Sequence, residues 1–277
     1  MALRDGGQAN RLSRAGMAGP ARPAGRAGSR GPGGPLARRG PAAVAVGLAA
    51  AGLAVAHAGP GLTGIGPVRR AAFGRLSGEG DPRHVALTFD DGPDPDATPA
   101  VARVLGERAV TATFFLLGQM VAKAPGLAAD LAAAGHEIGV HGWEHRYLTM
   151  RGPRATLDDI RRATDLIGSA TGTAPRLFRP PYGVLTGGAL LAARQLGLTP
   201  VLWGTWGREW SAGATPASVY RSLTARLHGG VTVLLHDSDC TSPPGSSRAA
   251  LGALPLLLDE CARRGLSVGP LGQHGWS

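Results

Sequence analysis

The sequence predicts a parallel α/β fold, and three observations carry that reading. From His84 onward, seven short β-type runs alternate with six helical ones. The chain shows no internal repeat. Polar residues able to do chemistry follow the C-terminal ends of four of the β runs. Chance placement would scatter them over both ends, whereas a parallel barrel gathers its site on one face.

In chain order, the β runs are 85–89 (VALTF), 113–117 (TFFLL), 137–140 (EIGV), 176–178 (RLF), 199–203 (TPVLW), 231–235 (VTVLL) and 266–269 (LSVG). Each is short and apolar, as a strand covered on both faces would be. The helical runs between them are 97–108, 120–134, 153–171, 186–196, 215–228 and 247–264. In 153–171, Ile160, Ala163, Leu166 and Ile167 recur at three- and four-residue spacing, a stripe that faces a core.

The ends of the chain follow different rules. Eight arginines against one acid in residues 1–40 carry +7 of the +10 net charge, so the basic character belongs to a tail. That tail is Arg/Gly/Pro-rich and predicted to be disordered. It has no aromatic residues and runs into an apolar stretch, so nucleic acid is not the expected partner. The apolar stretch is 42–56, preceded by Arg38-Arg39 and followed by Ala56-His57-Ala58. This pattern makes 41–58 a signal peptide or, left uncleaved, a short membrane tether a few residues below the roughly 20 that a span needs. Export to the cell envelope or medium is the expectation. Residues 59–82, punctuated by Gly and Pro, read as a linker ahead of a globular domain at 83–275. Cys240 and Cys261 fit either one disulfide or two free thiols, and their spacing does not suit a cysteine metal site.

Chemistry concentrates at the four strand ends. Asp90-Asp91 close the first run ahead of a Gly-Pro turn. Adjacent carboxylates repel, and burial sharpens the repulsion unless a cation or shared proton intervenes. The alternative is a solvated Asp-Asp-Gly-Pro turn. His141 and His145 follow the third run at a spacing that, on a helical turn, lets both imidazoles reach one cation. Two histidines, one carboxylate and an open position make a catalytic zinc-like site. The other carboxylate is then free to take a proton from water, whose pKa a cation lowers toward about 7. Arg179, opening Arg-Pro-Pro-Tyr-Gly after the fourth run, is placed to hold that carboxylate ionised, and a backbone N–H of that turn to supply an oxyanion donor. His236, ending the sixth run, is the candidate general acid.

In that order, TFDDGP (88–93), H-x-x-x-H (141–145), RPPYG (179–183) and LLHD (234–237) make this chain resemble the polysaccharide deacetylase family, the NodB-homology group of carbohydrate esterase family 4. The resemblance implies a distorted (β/α) barrel of about seven parallel strands. It also implies metal-dependent removal of acetyl groups from N-acetylated sugars in GlcNAc-containing glycans, with O-acetyl esters as the alternative substrate. It assigns Asp91, His141 and His145 to the metal, most simply Zn²⁺ but equally Co²⁺, Mn²⁺ or Fe²⁺. Asp90 would be the base, Arg179 its support, the Tyr182 N–H the oxyanion donor and His236 the acid. Trp210, Leu234 and Pro181 would contact substrate, and the protein would act as a monomer on its glycan partner.

Two positions depart from the family pattern. Gly142 stands where Ser or Thr usually follows the first histidine. In Trp203–Trp210, Trp206 or Glu209 stands where an aspartate usually supports the acid histidine; Glu209 could replace it with a longer reach, and a weakened support would leave a glycan-binding domain of low activity. The three tryptophans 203, 206 and 210 suggest a stacking surface for sugar rings.

Overall fold

The structure, a computed structural model, describes residues 41–72 and 74–276. The disordered tail expected at 1–40 lies outside the described residues. Ala45–Ser277 form one compact unit. Helix α1 spans Pro41–Ala58 and exposes Val46, Leu48, Leu53 and Val55. Among the described residues no helix is long and apolar enough to cross a membrane.

The barrel is built around β1 (His84–Asp90), buried along its whole length. It is joined by β2 (Thr113–Leu116), β3 (Glu137–Val140), β4 (Leu177–Phe178), β5 (Thr199–Pro200), β6 (Thr205–Trp206), β7 (Thr232–His236) and β8 (Ser267–Gly269). Every pairing is parallel, in the order β5-β4-β3-β2-β1-β7-β6, with β8 off that path against β1. One edge of β1 is shared: β8 pairs with residues 84–86 and β2 with residues 88–90. Leu271 and Gly272 then donate to Thr113 Oγ1 and Glu137 Oε2 at the bottom of β2 and β3. This shared edge and the missing β5–β6 pairing make the barrel a distorted one.

The linker expected at 59–82 is part of the fold. It forms a 3₁₀ turn at Gly59–Gly64, helix α2 at Gly66–Ala72 and a second 3₁₀ turn at Gly74–Ser77. It then enters the seam between β5 and β6. Leu202 N–H donates to Leu76 O at 2.7 Å, Thr232 Oγ1 to Gly78 O at 2.6 Å and Gly80 N–H to Gly230 O at 2.9 Å. Strand-end carbonyls and amides that would be buried without partners in an open seam are met here by the segment. The requirement is geometric, not compositional, so Gly- and Pro-rich composition misled.

The remaining helices are α3 (Ala97–Glu107), α4 (Gly118–Lys123), α5 (Pro125–Ala133), α6 (Pro153–Thr171), α7 (Gly187–Gln195), α8 (Pro216–Thr224) and α9 (Ser246–Arg263). The single helix expected at 120–134 is split at Pro125, which carries no N–H to continue α4 and turns Ala124 extended in φ. On α6, Ile160, Ala163 and Ile167 are buried as their spacing predicts, and Leu166 is partly covered. The strand expected at 199–203 is regular only at 199–200, because the Val201 and Leu202 carbonyls turn to the Arg179 guanidinium.

Candidate metal and acid–base site

The C-terminal ends of β1, β3, β4 and β7 meet at one cavity of about 470 Å³. Register places Asp90 of β1 beside His236 of β7. Successive strand residues point to opposite faces, yet both carboxylates reach the same imidazole. The cause is Asp91, whose φ of 79° lies in the left-handed region and breaks the alternation. Asp90 Oδ2 lies 3.7 Å and Asp91 Oδ1 3.4 Å from His141 Nε2. Asp91 Oδ1 also lies 3.6 Å from His145 Nε2.

These distances exceed hydrogen bonds, and Asp91 Oδ1 is buried without a hydrogen-bond partner. One ligand atom each from Asp91, His141 and His145 falls within 4.8 Å of the others, a set that fits one cation. His141 Nδ1 faces the Arg179 carbonyl at 2.8 Å, which leaves Nε2 as the lone pair aimed at Asp91. Burial, with His145 beside it, lowers the His141 pKa to about 3, and burial lowers that of His145 as well. Both imidazoles are therefore neutral, the form that binds metal.

The two histidines converge without a helix, since 141–145 is an irregular loop. Gly142 turns it at φ 92°, and a Cβ there would lie 3.1 Å from Asp159 Oδ2. The hydroxyl missing at Gly142 is compensated from α6. Asp159 Oδ2 accepts the Trp143 N–H at 2.9 Å and Oδ1 pairs with Arg151, which also reaches Glu144 at 3.2 Å. The Gly118 and Gln119 amides close the other side on the carbonyls of Gly142 and Trp143.

Arg179 is wholly buried over the Phe115 ring. Its Nη1 donates at 2.7 Å to Asp90 Oδ1 and at 2.7 Å to Thr88 Oγ1, and Nε and Nη2 donate to Val201 O and Leu202 O. Five-donor guanidinium geometry suits this work, fixing one carboxylate while also closing strand-end carbonyls. Tyr182 sits in the RPPYG turn at φ 59°, half exposed. Its ring lies edge-on to His145 and stacks on Tyr147 with centroids 3.9 Å apart. Pro181, expected to contact substrate, is buried within this turn and is not among the residues that line the cavity.

His236 Nδ1 lies 2.8 Å from Oε1 of the fully buried Glu209. Burial alone would lower the histidine's pKa; the Glu209 charge and hydrogen bond outweigh it and lift the value to about 9. Gly207 makes room for this carboxylate, since a Cβ there would lie 2.5 Å from Glu209 Oε2. Trp210 stands edge-on to His236 at 5.3 Å, and Leu234 also lines the cavity. Of the three tryptophans, 203 and 210 line this cavity, whereas Trp206 faces a separate one of about 310 Å³ between Arg208 and Arg226. Tyr147, Asp159 and Thr241 escaped the sequence reading. The only signal for Thr241 was its position in the loop that leaves a loaded strand end. Both cysteines are free.

The sequence model of the family described as Polysaccharide deacetylase matches residues 77–201. A chitooligosaccharide deacetylase of Bradyrhizobium sp. (strain ANU 289) is 37% identical over 214 residues, 74% of this chain and 94% of that one. Among solved structures, the Bc1960 peptidoglycan N-acetylglucosamine deacetylase superposes with a TM-score of 0.65 at 28% identity, over 72% of this chain and 92% of that one. The family 4 carbohydrate esterase from Streptomyces lividans, solved with acetate, gives 0.62 at 30% identity over 70% and 96%. With 37% identity over nearly the whole of one relative and the family model matching 77–201, the chain belongs to the polysaccharide deacetylase family.

Proposed function

We propose that this protein is a metal-dependent hydrolase that removes acetyl groups from N-acetylated sugars of GlcNAc-containing glycans. The observation that carries the proposal is the placing of two ion-paired proton carriers across one cavity: Asp90 on the Arg179 guanidinium and His236 on Glu209. A divalent cation held by Asp91, His141 and His145 would polarise the acetamide carbonyl and acidify water. Asp90, held in place by Arg179, takes the water's proton. The Tyr182 N–H is the donor to the carbonyl oxygen as it gains charge. His236, protonated at neutral pH, gives its proton to the nitrogen as the C–N bond breaks, so acetate keeps the water oxygen and the sugar leaves as an amine. Trp210 and Leu234 are positioned to hold the acetyl methyl.

The deacetylase relatives support a chitooligosaccharide or peptidoglycan substrate, and the basic segment ahead of residues 42–56 supports export toward such a glycan. Zn²⁺ is the proposed metal, and the donor set also suits Co²⁺, Mn²⁺ or Fe²⁺. The reading of a low-activity glycan binder loses its motive, because Glu209 does reach His236. The test is acetate release from N-acetylated chitooligosaccharides and peptidoglycan fragments with added Zn²⁺ or Co²⁺. Wild-type release should exceed that of Asp90→Asn by at least about a hundredfold, the scale of a lost general base. Equal rates would sink the proposal. N-terminal sequencing of protein recovered from the medium tests export.

A further inference from the structure

The loop between β7 and α9 closes the cavity on the Asp91 side, and Thr241, Ser242 and Pro243 face into it. Thr241 Oγ1 donates to Asp91 Oδ2 at 2.5 Å. Asp91 Oδ1, the oxygen facing both imidazoles, has no hydrogen-bond partner. The two oxygens of one carboxylate are therefore divided: one toward the ligand set, the other toward a hydroxyl. The same loop meets residue 91 a second time through Cys240 Sγ, 3.6 Å from the Asp91 carbonyl.

The loop has its own scaffold. The Asp239 carboxylate accepts the Gly245 and Ser247 amides at 2.5 and 2.6 Å, tying the loop to the start of α9. The Cys240 amide donates to Ser238 Oγ at 3.1 Å. Thr241 is thus delivered to Asp91 by backbone geometry fixed on both sides.

We propose that Thr241 is a positioning residue for the metal. Its hydroxyl holds Asp91 so that only Oδ1 is presented, and draws charge onto Oδ2 that would otherwise compete for the cation. The inference rests on the metal reading above. Asp91 stands just past the end of β1 in a left-handed backbone position, beyond the last ladder pairings of that strand at Asp90. A hydrogen bond from outside the strand supplies the missing restraint. Hydrogen-bond partners of ligating carboxylates tune affinity by about 10- to 100-fold.

The experiment measures Zn²⁺ affinity of the full chain by competition with a chromophoric chelator. The visible absorption of the Co²⁺ form and the urea midpoint of the metal-free protein are recorded alongside. Thr241→Val, close in shape but without the hydroxyl, should bind Zn²⁺ about 10-fold more weakly or worse and shift the Co²⁺ bands. Thr241→Ser should stay within about threefold of wild type, and Thr241→Ala should follow Val, which separates loss of the hydroxyl from a packing defect. Val and Ala variants that bind within twofold of wild type with unchanged Co²⁺ bands overturn the inference while leaving the metal site standing. A wild-type chain that binds neither ion overturns the metal reading itself, and this inference with it. A fall in affinity that Ser shares equally with Val overturns it too, since the hydroxyl would then be irrelevant.

Discussion

Replacing Glu209 by Gln tests the acid half of the site with almost no change of shape. In the wild-type chain the buried carboxylate lies 2.8 Å from His236 Nδ1 and lifts the pKa to about 9 against a burial effect that acts downward. At pH 7.5 a group of pKa 9 is about 97% protonated. The amide keeps an acceptor but removes the charge, leaving burial as the leading influence, so the histidine falls below its ordinary 6.5. Less than about 10% then carries the proton at pH 7.5, and the loss of more than two units corresponds to about 3 kcal/mol of stabilisation of the charged form. The alkaline limb of kcat/KM for acetate release reports this group in the free enzyme. A bound divalent cation offsets the upward pull of Asp90 and Asp91 and draws the wild-type limb somewhat below 9, but it leaves Glu209 in place. Glu209→Gln should move that limb to below 6.5 and lower kcat/KM at pH 7.5 by at least about tenfold, with Zn²⁺ affinity unchanged. An unmoved limb, with activity within twofold, would refute the assignment of His236 as the acid tuned by Glu209.

Other outcomes follow from the same geometry. Asp159→Ala leaves the Trp143 amide without its acceptor and Arg151 with only its Glu144 contact; chemical denaturation should report a loss of about 2–3 kcal/mol, and Zn²⁺ affinity should fall as the histidine loop loosens. Gly78→Ala forces a Cβ to within 2.5 Å of Thr232 Oγ1 at a φ of 64°, so the melting temperature should drop by several degrees, whereas a free linker would tolerate the change. Removing residues 1–58 should leave a folded domain, and removing residues 1–80 should not, as read by circular dichroism. The His236–Glu209 contribution to stability is complete below the histidine's ordinary 6.5 and is lost as pH rises through about 9, so the urea midpoint should decline over that window in wild type and less steeply in Glu209→Gln. His84 and His274, buried ring to ring at 2.8 Å with lowered pKa values, act in the opposite sense: their contribution is complete above 6.5 and is lost as pH falls below it.

The alternation of apolar runs was enough for a parallel α/β fold, because strand and helix periods are local properties of the chain; the barrel followed from the family resemblance. The strand-end placement of Asp90, His141, Arg179 and His236 was enough for one face and one site, since parallel strands put like ends together. Sequence also separated a basic tail from a nearly neutral domain. Other features depended on distances between residues remote in the chain. The left-handed turn at Asp91 lets neighbouring carboxylates share a cavity, and no spacing rule announces it. Asp159 compensates Gly142 from seventeen residues away in sequence, and Thr241 grips Asp91 across one hundred and fifty. The seam between β5 and β6 exists only once the barrel is formed, so only then does 76–80 become a structural element rather than a Gly-rich linker. Whether Glu209 could replace an aspartate was a question of reach, and the answer came from the fold of Gly207–Glu209 that brings its carboxylate to His236. Local periodicity specifies elements; satisfaction of buried charges and amides, which is a long-range condition, decided how they close into a working site.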